Sequence, residues 1–225
     1  MKTNQLANYR LSIAPMMDCT DRYFRVLMRQ ITKKSLLYTE MIVAQALHYS
    51  KNRSKLLDFD EIEHPISIQL GGDNPKLLAE AAQMAEDWGY DEINLNVGCP
   101  SPKVKLGNFG ACLMERPKTL AKCIEAMRKS CDIPITVKHR LGVDNLDSDD
   151  YLIMFVDTCS IAGADRFIVH ARKAWLNGLN PKENRTIPPL QYERVQKLKN
   201  NRPNLIFELN GGINSINDCI RALNI

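Results

Sequence analysis

The sequence predicts an α/β fold, a TIM (β/α)8-type barrel that is incomplete, with about seven βα units present. Short runs of strand character recur along the 225 residues at a roughly constant interval, each followed by a stretch with helical periodicity. Polar side chains accumulate after almost every strand, as is typical of a barrel whose chemistry lies at the carboxyl ends of its strands.

The strands are predicted from apolar runs bounded by polar or turn residues. Residues 66–70 and 167–170 are largely apolar and carry a polar residue, Gln69 or His170, at or next to their carboxyl ends, as expected where helices cover the outer face of a sheet. Parallel strands joined by crossover helices are the expected arrangement. The predicted strands are residues 11–16, 36–41, 65–70, 92–97, 133–139, 166–171 and 205–210.

Six helices are predicted from apolar residues that recur at intervals of three and four. Asn74-Pro75, Arg116-Pro117 and Ser215 are start signals at three of them. The predicted helices are residues 21–31, 74–88, 117–131, 148–162, 190–199 and 215–223.

A closed barrel is favoured over an open doubly wound sheet. The latter would usually bind its ligand through a glycine-rich first turn, whereas the first turn here reads Ala14-Pro-Met-Met-Asp18. We find no eighth strand before the chain ends at Ile225. The missing strand would have to come from another chain, from rearrangement of these units, or not at all, and an open edge would favour aggregation.

Composition and cysteine usage narrow the class of protein. With 44% hydrophobic residues, the chain can bury one large core. Its seven cysteines are scattered and never form a Cys-x-x-Cys pair, which argues against a disulfide framework and a zinc site and favours a reducing, cytoplasmic compartment. No signal core or membrane-spanning run is found. The net charge of +4 permits a polyanionic partner but does not require one.

Cys99 is the most informative single residue. It follows the alternating strand 92–97 in a Gly98-Cys99-Pro100 turn, where it could act as an acid or a nucleophile. The alternative is that Cys99 is an inert thiol, because free cysteines are usually small core residues.

The motifs along the chain are specific enough to indicate a family. They comprise residues 14–21, 69–72, 94–101, 107–114, 137–140, 170–185, 187–194 and 208–213. In these segments the chain resembles the tRNA-dihydrouridine synthases of the A type. The resemblance implies an FMN-dependent barrel that uses NADPH to reduce uridines in the D-loop of tRNA.

The same resemblance shapes the expected domain organisation. Residues 1–225 would form a truncated FMN-binding TIM-barrel catalytic domain, without the C-terminal helical tRNA-binding domain. The family's eighth strand, which ends in a Gly-Arg pair at the flavin phosphate, would also be absent. We therefore expect weakened flavin affinity, which the colour of the purified protein would reveal.

Reduction of the uracil double bond requires a hydride from the flavin and a proton from the protein. We predict Cys99 as the catalytic acid, since a thiol of ordinary pKa is mostly protonated at neutral pH. Flavin binding requires donors at the pyrimidine edge of the ring and a positive charge near N1. Gln69, Lys138 and His170 are predicted to supply them, and no metal is expected.

Further contacts are predicted at two other strand ends and in one loop. Pro15, Met16 and Met17 would lie against the flavin ring, and the Asn210-Gly211-Gly212 turn would hold its phosphate at a helix N-terminus. For the tRNA, Asn96 could contact the target base or its ribose, and the resemblance implies contacts from Lys182 and Arg185.

Two other functions remain open on the sequence alone. One is an FMN-dependent barrel oxidoreductase acting on a free pyrimidine or another small molecule, of the dihydroorotate dehydrogenase kind. The other is an inactive truncated remnant that binds RNA. The sequence does not indicate the oligomeric state or which uridines are modified.

Overall fold

All seven predicted strands form, and they make one parallel sheet in chain order. The structure is a computed structural model that describes residues 9–223, so both ends of the predicted domain 1–225 lie outside the described residues. The strands are β1 (Ser12–Ile13), β2 (Leu36–Val43), β3 (Ile66–Gly71), β4 (Glu92–Val97), β5 (Ile135–Arg140), β6 (Arg166–His170) and β7 (Ile206–Asn210).

All six predicted helices also form, within one to three residues of the predicted bounds. Asn74 caps its helix by accepting hydrogen bonds from the Lys76 and Leu77 amides, and Ser215 caps another by accepting from Asp218 N at 3.1 Å. The α-helices are α1 (Arg22–Ile31), α2 (Ala44–Tyr49), α3 (Ser54–Leu57), α4 (Pro75–Asp87), α5 (Pro102–Leu106), α6 (Pro117–Arg128), α7 (Asp149–Ile161), α8 (Tyr192–Asn201) and α9 (Ile216–Ala222).

Three of these helices were not predicted, and two of them, α2 and α3, lie in the crossover between β2 and β3. α2 starts directly after β2 and packs against α4, burying Ala44 and Leu47. With six residues it is too short to display a periodic apolar stripe, which is why the sequence pattern did not indicate it. The same holds for α3 and α5, which have four and five residues.

The prediction for the first strand was too long. Residues 11–16 were expected, but only Ser12 and Ile13 pair with β2. Pro15 lacks an amide hydrogen for the sheet, and Met16 turns away because its amide donates to Thr20 Oγ1 at 3.0 Å. The strand therefore gives way early to the loop that carries Met16 and Met17.

The outer face of the sheet packs against the helices and forms an apolar core with them. Alternate residues of the strands, such as Ile68, Leu95 and Val137, are fully buried together with apolar side chains of the helices. This layer holds the barrel wall in place and leaves the opposite face of each strand free for other side chains.

The inner face is mostly polar, with Ile168 as an apolar exception. Contacts between strands that are not neighbours show that the sheet curls. Arg166 on β6 forms an ion pair with Glu92 on β4, and Glu92 Oε1 also accepts from Tyr38 Oη on β2 at 3.3 Å. Burial raises the pKa of Glu92 to about 7, while Arg166 and hydroxyl donors act against that rise.

The barrel is incomplete, as predicted. Among the described residues, β1 pairs only with β2 and β7 pairs only with β6, so no backbone hydrogen bonds join the two edges. The edges nevertheless approach each other across the interior, where the Ser12 hydroxyl donates to Glu208. The carboxyl ends of all seven strands thus surround one mouth.

Candidate active site

Cys99 lies at the mouth in a tightly held loop directly after β4. Its amide donates to Asn96 Oδ1 at 3.0 Å, as does that of Gly98 at 3.2 Å, and its carbonyl accepts from Ala111 N at 2.9 Å. Gly110 has a φ of 66°, and a Cβ there would lie 2.5 Å from the Cys99 carbonyl oxygen. The loop is therefore stiff, and the thiol is half-buried.

Lys138 and Asn210 meet at the same mouth, although their strands are not neighbours. Lys138 Nζ donates to Asn210 Oδ1 at 3.1 Å. Burial lowers the pKa of Lys138 to about 8, with the nearby Arg140 adding to the fall and Glu208 and Cys99 opposing it. Lys138 is directly opposite Asn96 on β4, three residues before Cys99, so the ammonium group lies on the same side of the mouth as the thiol.

His170 adds a buried imidazole at the end of β6. Burial lowers the pKa of His170 to about 2, and Arg140 and other surrounding cations add to this effect, so the ring is neutral at physiological pH. Its Nδ1 is buried and has no hydrogen-bond partner among the described residues. A buried polar atom of this kind is suited to a bound ligand.

Gln69 and Asn96 are held together at the centre of the mouth. Asn96 Nδ2 donates to Gln69 Oε1 at 3.0 Å, and Gln69 Nε2 donates to Asn94 Oδ1 at 2.8 Å. Each primary amide still has a second hydrogen, and Gln69 Oε1 keeps a second lone pair, whereas Asn96 Oδ1 already accepts from the Gly98 and Cys99 amides. Both residues can therefore donate to a ligand, and Gln69 can also accept from one. The sequence pattern did not indicate that Asn96 also fixes the Cys99 loop.

The Asn210-Gly211-Gly212 turn lies beside His170. Both glycines have positive φ angles, 103° and 70°, and a Cβ on Gly211 would lie 3.2 Å from His170 Nε2. Tyr192 Oη donates to the Gly211 carbonyl at 2.6 Å, which fixes the orientation of the turn. The predicted phosphate-binding turn therefore adjoins the predicted flavin residues.

Lys182 and Arg185 lie on an exposed loop after β6. Asn184 between them is fully buried and organises the loop: its Oδ1 accepts from Trp175 N at 2.8 Å and its Nδ2 donates to Trp175 O at 3.0 Å. Arg185 contributes to the lowered pKa of His170 and is therefore near the mouth. The loop presents cations to solvent from a rigid base.

Arg140 is a site residue that sequence reasoning missed. It is 4% exposed, and it donates to Gly98 O at 3.2 Å and to Asn184 O at 2.8 Å. It thus connects the Cys99 loop to the loop of Lys182 and Arg185. Burial lowers the pKa of Arg140 to about 10, and its interaction with Cys99 opposes this shift. Arg140 belongs to one of the motifs, but no pattern indicated that it would be buried.

Pro15, Met16 and Met17 occupy the loop after β1, three strands away from β4 in the sheet order. Pro15 is half-buried, whereas Met16 and Met17 are 42% and 57% exposed. Exposed methionines on the rim offer a flexible apolar surface to a flat ring. Their predicted contact with a flavin remains a prediction.

The donor set at the mouth fits a flavin better than a metal ion. Amide, ammonium and imidazole groups converge there, as the pyrimidine edge and N1 of a flavin require. Among residues 9–223, no group of three or more His, Cys, Asp or Glu side chains could hold a metal ion. Within the same residues, no helix is long and apolar enough to cross a membrane.

Fold and site together define a parallel (β/α) barrel with a polar mouth that carries a cysteine, an amide pair and buried cations. The dihydrouridine synthase (Dus) family model matches residues 12–225, and the chain belongs to this family.

Curated relatives support this assignment. The chain is 60% identical over 203 residues to the tRNA-dihydrouridine(20/20a) synthase of Synechocystis sp., a match that covers 90% of this chain and 60% of the relative. The Escherichia coli protein of that name is 52% identical over 211 residues, covering 93% and 63% of the two chains. The chain thus spans about three fifths of the length of these relatives.

A solved structure supports the fold alone. A 2-naphthoyl-CoA reductase, solved as a complex with 2-naphthoyl-CoA, superimposes with a TM-score of 0.70 at 12% sequence identity. The match covers 96% of this chain and 46% of that chain, which agrees with the predicted barrel architecture.

Proposed function

We propose that this chain reduces specific uridines in the D-loop of tRNA to 5,6-dihydrouridine, with FMN as cofactor and NADPH as reductant. The observation that carries the proposal is the convergence of Cys99, Gln69, Lys138 and His170 at the mouth of a Dus-family barrel. The relatives are named for positions 20 and 20a of tRNA, and we propose the same positions here.

Gln69, Lys138 and His170 are the residues proposed to hold the isoalloxazine ring. Bound FMN supplies the hydride for the uracil double bond. The Lys138 ammonium is suited to a negative charge on the ring, because it is buried and no carboxylate forms an ion pair with it among residues 9–223. The unpartnered Nδ1 of His170 can bind a further polar atom of the ring.

The phosphate is assigned to the turn of Asn210, Gly211 and Gly212, where glycine leaves the backbone accessible. Pro15, Met16 and Met17 are assigned to an apolar face of the ring. On this basis residues 1–225 contain the flavin-binding catalytic domain.

Cys99 is proposed as the acid that donates a proton to the uracil ring. The side chain is suited to this role because it lies at the mouth on a stiff loop, with Lys138 and Arg140 within electrostatic reach.

Asn96, Lys182 and Arg185 are proposed to contact the tRNA. A uridine in folded RNA must be unstacked before it can enter a pocket, and amide groups can then read its edge. Lys182 and Arg185 are exposed on the loop next to the mouth, where cations can bind backbone phosphates.

The test uses the purified protein, unmodified tRNA and NADPH, with dihydrouridine measured as a mass increase in digested RNA. Cys99→Ala should keep bound flavin but lose about a hundredfold or more in turnover, as expected for removal of a general acid. Cys19→Ala is the matched control, because Cys19 lies in the loop after β1 at the same end of the sheet but is exposed.

Two results would contradict the proposal. One is a protein that binds no flavin, judged by its visible spectrum. The other is unchanged turnover in Cys99→Ala. Free uridine as substrate in the same assay separates a tRNA enzyme from one that acts on small pyrimidines.

A further inference from the structure

A continuous series of hydrogen bonds runs from the buried ion pair inside the barrel up to the Cys99 loop. We call it the interior network, and it consists of Glu92, Thr136, Asn94, Gln69 and Asn96. Gln69, Asn94 and Thr136 are directly opposite each other on β3, β4 and β5, so their side chains point to the same inner face.

Every bond in the interior network has the same direction. Thr136 Oγ1 donates to Glu92 Oε1 at 3.0 Å and accepts from Asn94 Nδ2 at 2.9 Å. Asn94 Oδ1 accepts from Gln69 Nε2 at 2.8 Å, and Gln69 Oε1 accepts from Asn96 Nδ2 at 3.0 Å. The series ends where Asn96 Oδ1 accepts from the amides of Gly98 and Cys99.

Both ends of the network require this direction. At the lower end, Glu92 also accepts from Arg166, from Ser67 Oγ at 3.0 Å and from Tyr38 Oη, so a carboxylate acceptor is needed there. At the upper end, backbone amides can only donate. If one side-chain amide reversed, two donors or two acceptors would face each other in the next step.

Asn94 and Thr136 have few alternative hydrogen-bond partners among the described residues. Both are fully buried, and Asn94 accepts from Gln69 and donates only to Thr136 among the described contacts. The Thr136 hydroxyl can otherwise donate only to Ile93 O at 3.2 Å, a weaker contact on a neighbouring strand. Loss of the hydroxyl would leave Asn94 Nδ2 buried without an acceptor.

We propose that Thr136 and Asn94 are positioning residues, which set the orientation of the Gln69 and Asn96 amides and thereby the backbone of the Cys99 loop. The inference deepens the proposed function, because Gln69 and Asn96 are assigned there to the flavin and the substrate. Thr136 and Asn94 themselves act only through their neighbours.

The test compares Thr136→Val, which removes the hydroxyl at constant shape, with Thr136→Ser, which keeps it. Amide hydrogen exchange of Gly98 and Cys99 is measured by NMR in the protein without added flavin. Thr136→Val should raise both exchange rates about tenfold, the effect expected for one weakened buried hydrogen bond, and Thr136→Ser should restore them. Thr158→Val removes a hydroxyl on the exposed surface of α7 and should change nothing.

Unchanged exchange in folded Thr136→Val would overturn the inference, as would an equal increase in Thr136→Ser. If Thr136→Val does not fold, amide exchange in the wild-type protein is the test. A Cys99 amide that exchanges as fast as the Gly178 amide, which lies in an exposed loop, would exclude the interior network.

A flavin titration of the same variants should give about tenfold weaker binding for Thr136→Val. If the wild-type protein binds no flavin, the proposed function fails while the exchange result still stands.

Discussion

Replacement of Arg140 by methionine should have two opposing effects on the free energy of unfolding. It removes hydrogen bonds from the guanidinium group, and it removes a buried charge. Arg140→Met removes hydrogen bonds to the Gly98 and Asn184 carbonyls at 3.2 and 2.8 Å. Hydrogen bonds from a charged donor are worth about 1.5–3 kcal/mol each, so the loss is about 3–6 kcal/mol. The third bond, to Lys173 O at 3.4 Å, is too long to add much.

The opposing effect is removal of a poorly solvated charge. The pKa of Arg140 is lowered from 12.5 to about 10, which corresponds to about 3 kcal/mol against the charged form at neutral pH. Arg140→Met should therefore reduce the free energy of unfolding by no more than about 3 kcal/mol. Arg140→Lys should be more destabilising than Arg140→Met, because lysine keeps a buried charge but cannot reach both carbonyls.

Urea unfolding at pH 7 measures both variants, and the slope of each transition checks that unfolding remains two-state. An Arg140→Lys variant as stable as the wild-type protein would show that the guanidinium contacts to the Gly98 and Asn184 carbonyls contribute nothing to the free energy of unfolding. A loss clearly above about 3 kcal/mol in Arg140→Met would instead mean that the cation is better solvated than its burial indicates.

Three further predictions concern pH and the glycine turn. The pKa of His139 is lowered by burial from 6.5 to about 4, so its contribution to stability is present above pH 6.5 and is lost as the pH falls. His139→Asn should therefore reduce the stability difference between pH 7.5 and 4.5 by about 3 kcal/mol, whereas Phe155→Leu, which disturbs the same ring contact, should not. Because the pKa of Lys138 is about 8, flavin affinity should fall as the pH rises above 8, and Lys138→Met should abolish this dependence in a fluorescence titration. Gly212→Ala should lower the unfolding free energy by about 2 kcal/mol or more, since its Cβ would lie 2.4 Å from Leu190 Cδ1. Gly178→Ala is the control, because a Cβ there meets open space and adds only backbone strain of about 1 kcal/mol. Thermal unfolding of the two variants distinguishes these effects.

The strand and helix pattern was predictable because the outer face of the barrel follows simple rules. Leu95 and Val137 alternate with polar residues, and Asn74 and Ser215 cap helices by local hydrogen bonds that the sequence displays directly. The short β1 was not predictable from its apolar run, because a bond from Met16 to Thr20 ends the strand.

The interior of the barrel was harder to predict than its mouth. Residues at strand ends, such as Lys138 and His170, are recognisable because their position alone suggests a site. Glu92 and Arg166 lie at the beginnings of their strands, and each looks like a solvent-exposed residue until the curl of the sheet brings β4 and β6 together. Their pairing depends on tertiary structure, which periodicity does not encode.

A polar interior has a physical consequence for the proposed binding of a flat, polar ligand at the mouth of the barrel. Apolar side chains could fill the centre and stabilise it, but they would leave the orientation of Gln69 and Asn96 undetermined. The buried Glu92–Arg166 pair is costly to desolvate, and replacing such pairs by apolar residues is often neutral or stabilising. The presence of the pair is explained if the carboxylate defines the direction of the interior network. A double replacement of Glu92 and Arg166 by leucine or methionine should then preserve or raise the unfolding temperature while weakening flavin binding. A variant that loses stability and flavin affinity in proportion would show that the pair serves the fold alone.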